Sequence, residues 1–295
     1  MSADNPPNHS TILLVDNGSI QPEATLGLRR VARRLSERIG RTVEPVSLLH
    51  SSKLSPEDLG GRPAEILEPF LRARASAGEM DFTVLPLFFG PSRALTEYIP
   101  QRLAALQKTF PNLRVNLAQP LAGTDVHAPD NRLVTALVAA VDAVVSKHAL
   151  HSPPVVLVDH GSPIEPLAQL RNALAAHMET ALGPKVVGVR PSSMERREGP
   201  EYAFNDPLLE HVLASPELRE QTVVLAMLFL NPGRHAGPGG DIDQIVAEVQ
   251  TQHSKLRVVR TGLLAEADAL LPILADRLTE AETGAAWLHP LESSG

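Results

Sequence analysis

The chain contains no cysteine, which excludes disulfides, thiolate metal sites and cysteine-ligated iron–sulfur clusters. Aromatic residues make up only 3% of its 295 residues, so few platforms exist on which bases could stack. Positive charge is in deficit: 27 Lys and Arg against 34 Asp and Glu leave a formal net charge of −7. No nucleic-acid partner is expected of such a surface, and an anionic ligand must be met by a local Arg cluster. Long apolar runs are missing too. The longest, residues 223–230, falls far short of the roughly 20 residues a bilayer span requires, so no membrane partner is expected. Residues 1–10 carry neither a basic stretch nor an apolar one, and read as a disordered start on a cytoplasmic protein.

What is present is enough hydrophobic sequence, 43%, to fill the cores of about two domains. Residues 155–158 are four apolar, mostly β-branched residues and read as a buried strand, closed by Asp159-His160-Gly161-Ser162. A helical stripe of Leu167, Leu170, Leu174, Met178 and Ala181 follows. His160 therefore stands in a turn between strand and helix, where open parallel sheets place ligands.

Residues 11–19 repeat this pattern, with Asp16-Asn17-Gly18-Ser19 matching Asp159–Ser162. The offset is 143 residues, from Asn17 to His160 and again from Arg114 to Arg257. Further strands are expected near 43–49, 82–89 and 113–117 in the first half, and near 186–189, 222–230 and 256–259 in the second. Closing helices are expected at 133–145 and about 265–278. Arg29, Arg30, Arg33, Arg34 and Arg38 surround the apolar stripe of the first helix and read as a solvated face.

The expected architecture is α/β: two tandem, similar, doubly wound parallel-sheet domains facing each other across a cleft. The first covers 11–147, a linker with Pro153 and Pro154 covers 148–154, the second covers 155–285, and 286–295 is a tail. His148 and His151 are read as exposed linker residues. A monomer is expected, because the two repeats already form the cleft.

The copies diverge at strand ends. Asn17 stands where its partner is His160, and Ala94 stands where His235 does if Arg93 and Arg234 are equivalent. Both imidazoles belong to the second half and both are missing from the first. Glu195, Glu198 and Glu201 compete for the place of a third group, Glu195 being nearest its strand. Two neutral imidazoles and a carboxylate suit Fe(II), Co(II), Ni(II) or Zn(II) and hardly Mg or Ca.

The Asp159–Ser162 strand end resembles the Gly-His-Gly-Ser signature of class II tetrapyrrole chelatases, the sirohydrochlorin ferrochelatase and cobaltochelatase family. Leu228-Phe-Leu-Asn-Pro-Gly-Arg-His235, with Asp241-Ile242 after it, resembles that family's Leu-Phe-Leu…Gly-Gly-His…Asp-Ile element. The resemblance covers about 11–285. In many long-form members the histidines lie in the first half, and here they lie in the second. It implies a sirohydrochlorin chelatase of cobalamin or sirohaem biosynthesis with no permanently bound cofactor. Its metal substrate is Co(II) or Fe(II), with Ni(II) a further candidate. His160 and His235 match the family's metal-site histidines and Glu195 its acidic residue, so these three are the expected catalytic and metal residues.

Sirohydrochlorin carries eight carboxylates, for which Ser162, Arg190, Arg196, Arg197, Arg234 and Arg93 are the expected partners. The alternative is a non-catalytic tetrapyrrole or metal carrier. A histidine phosphatase is disfavoured because Ala236 follows Arg234-His235 where that superfamily has Gly. A serine hydrolase is disfavoured because Ser162 lacks the Gly-x-Ser-x-Gly elbow.

Overall fold

The computed structural model describes residues 10–284. The tail at 286–295, and all of the expected disordered start but Ser10, lie outside them. Strands β1 (Thr11–Asp16), β2 (Val43–Ser47), β3 (Asp81–Pro86) and β4 (Arg114–Leu117) form one parallel sheet in the order β2-β1-β3-β4. Strands β5 (Val155–Asp159), β6 (Val189–Ser193), β7 (Thr222–Met227) and β8 (Arg257–Arg260) form a second, ordered β6-β5-β7-β8. The two sheets have the same topology, as the repeat requires. In each the chain order reverses beside the first strand, between β1 and β3 and between β5 and β7. Such a switch point opens a crevice at the carboxyl ends of the strands.

One expected strand is corrected. The apolar stretch at 186–189 is not the second strand of its half, because β6 runs Val189–Ser193 and leaves Val187 76% exposed. β6 is an edge strand that carries Pro191 opposite Leu157, just as the edge strand β2 carries Pro45 opposite Leu14. An edge tolerates the missing N–H. The β-branched run at 186–189 is thus a poorer guide here than the Pro-containing segment after it.

The connecting helices are α1 (Pro22–Ile39), α2 (Leu67–Ser76), α3 (Ile99–Gln107) and α4 (Asn131–Lys147) in the first half. Those of the second are α5 (Glu165–Leu182), α6 (Leu209–Leu213), α7 (Asp241–Gln252) and α8 (Leu270–Glu282). Period-two alternation sends Leu13 and Val15 to an outer core with α2 and α3, and Val156 and Val158 to an outer core with α6 and α7. The opposite faces, with Ile12 and Leu14 on one sheet and Val155 and Leu157 on the other, enter a single inner core.

That inner core is shared because the last helix of each half crosses over. α4 packs on α5 and β7 of the second half, whereas α8 packs on β3, β4 and α1 of the first. Leu133, Leu137 and Val141 of α4 and Leu270, Ile273 and Leu274 of α8 all lie in this core. A cut at 148–154 therefore separates two sequence repeats rather than two independently packed bodies.

The basic face of α1 serves the same junction. Arg30 pairs with Glu266 at 2.9 Å, and Arg34 donates to the Glu266 carbonyl at 2.9 Å and pairs with Asp268. Arg29 instead clamps a loop of its own half, donating to the carbonyls of Leu59, Arg62 and Pro63. The expectation of a merely solvated face is corrected at these three positions. Among the described residues no helix is long and apolar enough to cross a membrane.

Arg277 fastens α8 to the first half. It is 8% exposed, donates to the carbonyls of Pro120 (3.1 Å) and Leu121 (3.3 Å), and pairs with Asp130 at 3.2 Å. Arg277→Met keeps most of the volume but removes a nearly buried cation and its hydrogen bonds, leaving the Leu121 carbonyl without this donor, while Asp130 keeps Arg132 and the Pro120 carbonyl keeps the Gly123 amide. It should lower the unfolding free energy by roughly 2–4 kcal/mol. Urea denaturation followed by circular dichroism checks this. An unchanged midpoint would show that apolar contacts alone hold α8 in place.

Candidate active site

The two sheets present their switch points to one cleft of about 630 Å³. Its walls come from both halves: Asn17, Ser19, Ile20, Phe88 and Phe89 from the first, with His160, Leu167, Leu230, Arg234 and His235 from the second. His160 follows β5 and His235 follows β7, so they straddle the switch point of their sheet. Their Nε2 atoms lie 3.2 Å apart, with the rings edge to face at 75° and 4.4 Å between centroids.

The outer nitrogens settle what the inner ones present. His235 Nδ1 lies 2.6 Å from the Asp241 carboxylate and His160 Nδ1 lies 3.1 Å from the Gly161 carbonyl. Both partners are acceptors, so in the neutral rings each Nδ1 carries the hydrogen and each Nε2 presents a lone pair. Two lone pairs converging at this distance repel until a proton or a cation sits between them. The Glu195 carboxylate, 3.5 Å from His160 Nε2, adds negative charge at the same point. Among the described residues no three His, Asp or Glu side chains form a group able to hold a metal by themselves. The arrangement presents two converging imidazole nitrogens with room beside them for further donors.

Its backbone is rigid. Gly161 has φ +90°, and a Cβ there would come within 1.9 Å of the Glu195 carbonyl. Only glycine combines that conformation with that approach. The Asp159 carboxylate below accepts from the Gly161 amide (3.1 Å) and the Ser193 hydroxyl (2.7 Å), and the wholly buried Arg171 stands 3.5 Å away. Buried Asn205 binds the Ser162 amide and carbonyl, both at 2.9 Å. This network fixes the turn from which His160 projects.

Other expected site residues are dispersed. Glu195, of the three glutamates, makes the contact with His160. Arg234 lines the cleft, 3.7 Å from Asp241. Ser162 is buried, and its hydroxyl accepts from the Ile164 amide to cap the turn. Arg190 points to Ser215 and Glu217, and Arg93 pairs with Glu97. Arg196 binds Asp206 and the Gly199 carbonyl, and Arg197 stacks over Tyr202.

The role of Asp241 was not legible in the chain. It lies six residues after His235, at the first position of α7, and only the turn between brings it back to the ring.

The first half keeps this framework without the imidazoles. Leu87 and Leu228 occupy equivalent rungs, their amides donating to Val15 and Val158, and the same spacing puts Ala94 in the place of His235. Beneath Asn17, Asp16 is held by the Gly18 amide and Ser47 hydroxyl, but Leu28 stands where Arg171 would be. Burial without a cation pushes the Asp16 carboxyl up to about 6.

This duplicated parallel fold, with one histidine pair at one switch point, is the arrangement of a chelatase. Residues 11–141 and 154–281 match the CbiX family, and the chain belongs to that family of class II tetrapyrrole chelatases. No curated protein sequence is a significant match. Among solved structures, SirB from Bacillus subtilis with Fe3+ is 16% identical at TM-score 0.70, over 96% of this chain and 99% of that one. The sirohydrochlorin chelatase SirB from Bacillus subtilis subspecies spizizenii in complex with cobalt is 15% identical at TM-score 0.66, over 94% and 97%. DR2241 from Deinococcus radiodurans, described as a multi-domain protein with structural similarity to chelatases, is 15% identical at TM-score 0.57, over 90% of this chain and 54% of that one. At these identities the likeness is one of fold.

The two buried aspartates should respond oppositely to amide replacement. Asp16 holds its proton more tightly folded than unfolded. Its ionisation cost is therefore absent below about pH 4, grows to about pH 6, and is constant above, on the order of 3 kcal/mol. Asp16→Asn should stabilise the protein by about 1–3 kcal/mol at pH 7.5 and leave it unchanged at pH 4. Burial raises Asp159 too, but Arg171 opposes the shift. Asp159→Asn strands a buried guanidinium and should destabilise by about 2–4 kcal/mol at pH 7.5. Chemical denaturation at the two pH values checks both, and equal signs at pH 7.5 would refute the charge argument.

Proposed function

We propose that the protein is a sirohydrochlorin chelatase that inserts Co(II) or Fe(II) into the macrocycle, in cobalamin or sirohaem biosynthesis. The observation that carries this reading is the pair of Nε2 atoms, 3.2 Å apart and each backed by an acceptor at Nδ1. Such a pair attracts a divalent ion without caging it, which suits a metal that must be handed on. Four pyrrole nitrogens then complete the coordination and draw the ion from the imidazoles. An imidazole nitrogen freed of metal presents its lone pair again and can take a pyrrole proton. Glu195 offers the ion a carboxylate on entry. Leu87, Phe88, Phe89, Leu167 and Leu230 offer apolar surface to a flat ring, and Arg234 is the cleft arginine for its carboxylates. His160, His235 and Glu195 are thus proposed as the catalytic and metal residues.

Anaerobic incubation with sirohydrochlorin and each ion in turn, following the macrocycle absorbance, tests the reading. Repeated turnover above the metal-only control with Co(II) or Fe(II) is expected. One equivalent of tight binding without acceleration would instead identify a carrier. His160→Ala and His235→Ala should each lower the rate at least 100-fold with the fold intact. Asn17→Ala, at the equivalent place in the first half, should change it by less than about threefold. Asp241→Asn, which can no longer hold the Nδ1–H form by charge, should cost about 10–100-fold. Near-wild-type rates for either histidine variant would overturn the assignment.

A further inference from the structure

The first half supplies the cleft with one imidazole, that of His50. Its backbone is unusual. His50 has φ 66° and ψ −40°, and the Ser51 amide donates to the Leu49 carbonyl across it at 2.7 Å. This is a γ-turn of the rare, strained hand, which a residue with a Cβ seldom adopts. Strain of this kind persists where the surrounding structure enforces it, most often at functional sites.

The second half shows that the fold itself does not demand it. The two loops follow the same path past their first strands: Leu48 and Leu49 donate to Asp16 and Asn17, as Met194 and Glu195 donate to Asp159 and His160. In both, a carbonyl closes on the strand-end glycine, Leu49 on Gly18 and Glu195 on Gly161. Arg196 stands at the level of His50, yet His50, Ala149 and Ser152 are the described non-glycine residues with positive φ. The close approach is thus made once without strain and once with it. What differs is the side chain: Arg196 turns to Asp206 and Gly199, whereas His50 lines the cleft.

We propose that His50 is a third catalytic imidazole, which takes a pyrrole proton on the face of the bound macrocycle turned away from the His160–His235 pair. The proposal rests on the chelatase reading. Insertion of a divalent ion releases two pyrrole protons, and the face on which the ion enters carries its positive charge. A base on the other wall avoids that charge. The pyrrole N–H bond breaks, its electron pair stays on nitrogen to bind the metal, and the proton goes to the His50 ring. His50 is exposed and can pass the proton to water. Asp16 is the other titratable group that this half brings to the cleft, and its carboxylate is held below by Gly18 and Ser47.

His50→Gly separates a chemical role from a structural one, because glycine accepts the backbone that histidine resists. Its melting temperature should stay level or rise by a few degrees while kcat falls at least about tenfold, and added imidazole should restore part of the rate. His50→Asn, which also tolerates positive φ, should show the same loss. Unchanged kcat in both variants, or a loss that follows a lowered melting temperature and resists imidazole, would overturn the proposal. The His50 ring resonance, assigned by its absence in His50→Gly, should also shift when metal-free sirohydrochlorin is added to the wild type. Absence of wild-type insertion with any ion would defeat the chelatase reading instead. The ring resonance would then still show whether His50 faces the macrocycle, and no shift would remove it from the site.

Discussion

Everything in this molecule depends on the inner core that the two sheets share. Each sheet is covered on its inner face by the last helix of the other repeat, so neither is complete alone. Ile12 and Leu14 meet the same apolar body as Val155 and Leu157, and α4 and α8 are the bolts through it. The arginines of α1 and the buried Arg277 tie off the edges of that junction with hydrogen bonds to carbonyls and ion pairs. Because the cleft is the gap between these interlocked halves, its width is set by core packing. A hinge between free domains would leave that width variable.

On this nearly symmetric frame the chemistry is asymmetric. Both halves keep the strand-end aspartate, the left-handed glycine and the carbonyl pressed against it. Only the second adds the strand-end imidazole pair and the Arg171 that stands beside its aspartate. The first half has kept the geometry and dropped the cation, leaving Asp16 an acid near 6 in an apolar setting. The duplicated framework holds two walls in register, and the walls differ in what they offer: a donor pair on one side, an apolar surface with one imidazole on the other.

Much of the frame was legible in the chain, because parallel strands buried on both faces read as uninterrupted apolar runs. The repeat implied one topology for both halves, though not the order of strands within the sheet, and the absence of both histidines from the first half drew attention to the second. What stayed hidden depends on three-dimensional return paths. The second edge strand was misplaced because Pro191 breaks the β-branched pattern while the edge position makes it harmless. Arg93 follows the carboxyl end of β3, where a carboxylate-binding residue would stand, yet its side chain meets Glu97, a direction that no linear pattern records. Arg190 is the second residue of β6, at the end of the strand away from the cleft, and meets Glu217. Asp241 and His50 are brought to the cleft by turns whose closure depends on backbone conformation. The exchange of α4 and α8 left no trace, since a helix with an apolar stripe fits either sheet equally well.

The exchange also orders events during synthesis. The inner face of the first sheet is finished only by α8, whose residues 270–282 are made after every strand of both sheets. Until then the emerging first repeat has α1 over β1, but the inner side of β3 and the stripe of α1 that α8 packs on are not yet covered. The second repeat, by contrast, finds α4 already made when β5 emerges. The repeat translated second therefore meets its crossing helix at once, whereas the N-terminal one is completed only by a helix made last, and an incompletely covered apolar face is where misassembly competes with folding.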